Sequence, residues 1–167
     1  NVIGGGDFAV DRIIPDCIRA VQAHTDIVVR NPFSVRPYQH VLEPLAVYLM
    51  IAEEQYKDKK CAGSYNVGPD ESDCLTTGEL VTLFCQKWNQ KTNNALTWID
   101  QYDGGPHEAN FLKLDCSKLK AEFHWKPVWN IEMAMEQIIE WSLAYFANED
   151  ISICMSRQIQ QFLNDAM

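Results

Sequence analysis

The chain has 167 residues, enough for one ordinary domain that buries roughly 70% of its unfolded surface in a single core. Its hydrophobic 47% is broken into short runs, none near the roughly 20 apolar residues a membrane-spanning helix needs, so no membrane partner is expected. Fourteen Lys plus Arg against 23 Asp plus Glu give a formal charge of −9, which repels nucleic-acid backbones unless the basic residues cluster.

From the first residue, Asn1-Val2-Ile3 reads as strand running into the glycine turn Gly4-Gly5-Gly6-Asp7, an opening inside a motif that predicts a natural chain continuing upstream. Residues 11–24 read as a helix, with Pro15 tolerable in the first turn and Cys17, Ile18 and Val21 on one face. A short β-branched strand follows at 27–30, then an irregular loop at 31–37 holding two prolines and a serine. Residues 42–56 form a helix that is apolar all round (Leu45, Ala46, Val47, Tyr48, Leu49, Met50, Ile51) and therefore needs cover on more than one side. A strand is expected at 64–67, stopped by Gly68-Pro69. Thr76-Thr77-Gly78-Glu79 is a capping-box pattern that opens a helix to about Lys91. Residues 96–99 suit a strand, 102–110 a loop, 111–114 an extended segment and 117–123 a short helix. Asn130 is a good N-cap for a long helix that turns Ile131, Met135, Ile138, Ile139 and Leu143 inward, and the tail after Asp150 adds one more helix. No linker divides the chain, so 1–167 is read as one unit.

Several short patterns that carry chemistry in other proteins also have plainer readings. Cys17, Cys61, Cys74, Cys85, Cys116 and Cys154 show no C-x-x-C pair and no zinc-finger spacing, and read as reduced thiols of a cytoplasmic protein ahead of a disulfide set; no metal site is expected. Gly4 to Ala9 satisfies a loose G-x-G-x-x-A pattern with Asp26 at the ribose distance. Only three residues precede it and no βαβ unit follows, so a turn is the better reading. Tyr56 and Lys60 have Tyr-x-x-x-Lys spacing, but they sit where a helix runs out into charged residues and solvent. Arg36, on a proline-bounded segment, suits bidentate binding of a pyrophosphate, whereas taken alone it, Arg12 and Arg30 read as surface ion pairs. His107 and Glu108, beside Gly104-Gly105-Pro106, present a donor and an acceptor to a sugar hydroxyl, or else stand exposed. Trp125, Trp129 and Trp141 read as core or half-buried side chains without a ligand.

Taken in order, the motifs resemble one family. Asn1 to Asp7, Asp11-Arg12-Ile13-Ile14-Pro15, Arg30-Asn31-Pro32 and Val35-Arg36-Pro37-Tyr38-Gln39-His40-Val41-Leu42-Glu43-Pro44-Leu45 are similar to successive motifs of the CDP-glucose 4,6-dehydratases. So are Tyr65-Asn66-Val67-Gly68-Pro69, Pro106-His107-Glu108-Ala109 and Leu112-Lys113-Leu114-Asp115-Cys116-Ser117-Lys118. These are NAD-dependent lyases of the extended short-chain dehydrogenase/reductase family.

The resemblance implies an α/β fold: the C-terminal nucleotide-sugar-binding lobe, with elements that would complete an N-terminal Rossmann domain lying outside this chain. It implies conversion of CDP-D-glucose to CDP-4-keto-6-deoxyglucose and water, toward bacterial dideoxysugars and surface polysaccharides, with NAD as an internal hydride carrier held mainly by the other domain. Residue by residue it implies substrate contacts at Asn1, Arg12, Ile13, Val29, Arg30, Arg36, Asn66, His107 and Glu108 and no catalytic residue within the chain. The chain alone is then expected to be inactive and either to associate with itself through apolar surface around 42–67 or to leave that stretch poorly ordered, the parent being a homo-oligomer. Two other readings stay open: a free-standing binding module without chemistry, and the lobe of another nucleotide-sugar epimerase or dehydratase.

Overall fold

A computed structural model describes residues 1–102 and 111–167. The described residues form six short strands and six α-helices of mixed α/β arrangement. Strands β1 (Val2–Ile3) and β4 (Gln39–His40) pair in parallel, as do β2 (Ile27–Val29) and β6 (Trp98–Asp100), while β3 (Val35–Pro37) pairs antiparallel with β5 (Cys74–Thr76). Parallel pairs require crossovers, and these are supplied by helices α1 (Ile13–Ala23), α2 (Leu42–Lys57) and α3 (Thr77–Thr92). Helices α4 (Ser117–Phe123), α5 (Ile131–Phe146) and α6 (Ile151–Asp165) complete the chain.

Local chemistry sets the helix ends. Asp11 adopts a left-handed φ of 58°, so α1 begins two residues after the sequence predicts, and His24, at φ 53°, closes it. The capping box of α3 is formed in full: Glu79 N donates to Thr76 Oγ1 at 3.1 Å and Thr76 N to Glu79 Oε2 at 2.8 Å, an arrangement worth about 1 kcal/mol. Asn130 accepts from Met133 N at 2.9 Å to start α5, and Asp150 caps α6 through Ser152 N at 2.9 Å.

The core lies between α1, α3, α5 and the pair β2–β6. Ile14, Cys17 and Ile18 of α1, Leu80, Val81, Phe84 and Trp88 of α3, and Met135, Ile138 and Ile139 of α5 close on Ile27, Val29 and Tyr38. All six cysteines are free thiols. Helix α2 contributes little to this core: Val47 is fully buried, but Leu45, Tyr48 and Leu49 are 46%, 61% and 75% exposed. The helix is apolar all round, and one face of it is left exposed by the described residues.

Two segments depart from expectation. Residues 35–37, read as irregular loop, form β3, because Thr76, Leu75 and Cys74 lie opposite them and supply the ladder. Residues 64–67, read as strand, pair with no described strand. Their polar groups are met by side chains instead: Gln39 Nε2 donates to Val67 O at 2.9 Å and Lys118 Nζ to Ser64 O at 3.1 Å.

Candidate functional site

A cavity of about 940 Å³ opens between the 4–12 loop, the start of α1, the end of β2 and strand β3. It gathers Asn1, Arg12, Ile13, Val29, Arg30 and Arg36 on one wall system, although they come from four separate stretches of chain. A strand's side chains alternate between faces, and β3 with its flanks therefore turns Ser34, Arg36 and Tyr38 to the cavity. Taking residues 31–37 as irregular loop hid that alternation.

The cations are already engaged. Arg12 stands 3.7 Å from Asp7 and Arg30 Nη2 2.7 Å from Asp11, both at the mouth and both largely solvated. Such pairs are worth under about 1 kcal/mol, so an anionic ligand can take over either guanidinium at small cost. Arg36 lies deeper, half-buried, with Nη1 donating to Val35 O at 2.9 Å. Beside it Thr77 Oγ1 donates to Ser34 O at 3.2 Å, and the Tyr38 hydroxyl lies 3.3 Å from Thr77 Oγ1. Ser34 Oγ is buried with no hydrogen-bond partner among the described residues. Thus Ser34, Tyr38 and Thr77, with Asp7 and Asp11, join the residues that the motifs single out.

The same run of sequence that supplies Arg36 turns inward directly afterwards. Glu43, 1% exposed, accepts from Trp129 N at 2.7 Å and Val128 N at 3.0 Å through one oxygen. Burial raises its pKa, and those two backbone bonds pull the other way. The His40 ring meets Trp129 edge-on at 5.0 Å, and its Nδ1 accepts from Leu42 N at 3.3 Å. Burial lowers its pKa from 6.5 to about 4. Trp129 in turn donates to Asp165 at 2.8 Å and packs on Phe162 at 5.0 Å, tying α2 to α6.

The remaining sequence candidates lie elsewhere. Asn66 is exposed, does not line the cavity, and donates to Asp115 O at 3.0 Å. His107 and Glu108 fall outside the described residues. Tyr56 is 93% exposed at the end of α2, in keeping with a hydrated helix end. The three glycines form no dinucleotide cradle, since β1 pairs with β4 and the next helix starts only at Ile13. Trp129 is buried and Trp125 and Trp141 half-buried, none of them lining the cavity.

No protein-family model matches the chain. It is 38% identical over 165 residues, 98% of its length, to the CDP-glucose 4,6-dehydratase of Salmonella typhimurium, and it spans 45% of that protein. Among solved structures it superposes on 43% of a UDP-glucuronic acid 4-epimerase from Bacillus cereus, with TM-score 0.69, 14% identity and 87% of this chain covered. It likewise covers 42% of a dTDP-glucose 4,6-dehydratase from Bacillus anthracis, with TM-score 0.63, 19% identity and 84% of this chain covered. The fold is therefore that of part of a nucleotide-sugar epimerase or dehydratase, and the chain spans about half the length of the proteins it matches.

Proposed function

We propose that this chain is the nucleotide-sugar-binding part of an NAD-dependent CDP-glucose 4,6-dehydratase, a lyase that forms CDP-4-keto-6-deoxyglucose and water. The carrying observation is the convergence of Asn1, Arg12, Ile13, Val29, Arg30 and Arg36 on one cavity, with three arginines at one site of an otherwise acidic chain. The 38% identity to the Salmonella enzyme favours this reading over a free-standing binding module.

In it the Arg36 guanidinium, fixed on β3, holds the pyrophosphate through charge-assisted hydrogen bonds. Arg12 and Arg30 exchange Asp7 and Asp11 for phosphate oxygens at the mouth. Val29 and Arg30 flank the base, Ile13 faces the nucleotide beside Arg12, Asn1 lies at the substrate, and His107 and Glu108 complete the contacts, whereas Asn66, which lies away from the cavity, is left out of them. NAD is the cofactor the reading implies. The residues of this chain do not fit it, because its glycines lead into no helix N-terminus. The dinucleotide and the proton-transfer groups belong to a domain that packs on the bare face of α2. The setting is cytoplasmic synthesis of bacterial surface polysaccharide, with the parent a homo-oligomer. Without cover the chain associates through Leu45, Tyr48 and Leu49, and sedimentation showing only monomer at high concentration would contradict this.

Calorimetric titration of the full-length protein with CDP-, UDP-, dTDP- and GDP-glucose tests the assignment. CDP-glucose is expected to bind tightest. Equal affinity across the four, or none, overturns it, and 4-keto product formed by the 167-residue chain alone would contradict its dependence on a second domain.

A further inference from the structure

The glycine run and Trp141 have no role in the site as described, yet they touch. A Cβ built on Gly5 would fall 2.2 Å from Trp141 Cγ, inside any allowed contact, and Gly6 crosses the indole's six-membered ring at φ +80°. Phe8 continues the contact, with its ring 6.2 Å from Trp141 and 5.4 Å from Tyr145, and those two stack on each other at 5.3 Å. From the other side Arg19 donates to Ala9 O at 3.1 Å and Phe8 O at 3.3 Å. The loop thus has two faces. Gly5, Gly6 and Phe8 lie on the aromatic platform of α5, while Gly4, Asp7, Asp11 and Arg12 line the cavity.

We propose that Trp141 is a positioning residue for the nucleotide-sugar site: its indole is the flat seat on which the glycine loop lies, and it sets where Arg12, Asp7 and Asp11 stand without itself reaching the cavity. The inference rests on the reading of the cavity as a nucleotide-sugar site. Glycine is required at 5 by the close approach of its backbone to the ring, not by a phosphate. Trp141 is half-buried and outside the main core cluster, so its removal leaves the packing of α1, α3 and α5 in place.

The test is a double-mutant cycle in the full-length protein, with CDP-glucose affinity as the readout. Gly5→Ala is expected to weaken binding about tenfold, since overpacking against a rigid ring displaces the loop. Trp141→Ala weakens it by a similar factor, and Trp141→Phe restores most of it. In the Trp141→Ala background the added Gly5→Ala change costs clearly less than it does alone, because the ring atoms at 2.2 and 2.4 Å are gone and only the residue-141 Cβ, 2.6 Å from the built Cβ, remains. Multiplying penalties, or unchanged affinity in Trp141→Ala, overturn the proposal. Failure of the wild type to bind CDP-glucose counts against the ligand assignment instead; trypsin cleavage at Arg12 then decides on the seat alone. Faster cleavage in Trp141→Ala at unchanged melting temperature upholds it, and equal rates overturn it.

Discussion

Arg36 and Glu43 are seven positions apart in one contiguous run, yet they serve opposite ends of the fold. Arg36 reaches a solvated cavity from β3, beside arginines whose partners are exchangeable surface carboxylates. Gln39, His40 and Glu43 are buried, and they fasten the chain to Val67, Trp129 and Val128. The most distinctive stretch of the sequence is thus mainly a fastening, with a single cavity-facing cation at its start. A residue pattern specific to a family need not be a list of substrate contacts.

Removing Glu43 should separate the two regions most sharply. Glu43→Ala strands the buried N–H of Trp129 and the half-buried N–H of Val128, and leaving such donors unmet costs roughly 2 kcal/mol or more. Urea unfolding should show that loss, whereas Arg36→Ala should stay within about 0.5 kcal/mol of the parent; equal losses would erase the distinction.

His40 gives the fastening a pH dependence. Its folded pKa of about 4 lies below the ordinary 6.5 because burial disfavours the imidazolium, so the unfolded chain binds the proton first. This contribution is fully present above pH 6.5, is lost as pH falls toward about 4, and amounts to roughly 3 kcal/mol over that window. Glu43 acts in the opposite sense: burial raises its pKa, so its contribution is largest below the unfolded value and is lost as pH rises through the folded one. Thermal melts between pH 7 and 4 should fall more steeply for the parent than for His40→Gln; parallel curves would remove His40 from the account.

Arg36→Ala should show the smallest change in stability together with a loss of CDP-glucose affinity of about tenfold or more, the worth of a charge-assisted contact. Arg36→Lys should recover only part of it, since an ammonium lacks the planar fork. Unchanged affinity in calorimetry would shift the pyrophosphate role to Arg12 or Arg30.

Local patterns were legible wherever a residue's own chemistry decides. The capping box at Thr76, the Asn130 cap and the inward face of α5 all follow from residue type and helical period. The family resemblance likewise picked out six of the cavity's lining residues. Partnership was not legible. Residues 35–37 form a strand because residues 74–76 come alongside, and 64–67 do not because no described strand does. Ser34 and Tyr38 reach the cavity only through that pairing, and Gly5 is needed only because Trp141, 136 positions later, lies against it. A backbone hydrogen bond or a van der Waals contact between distant segments depends on their positions in space, which short-range periodicity does not encode, so tertiary structure alone decided these features.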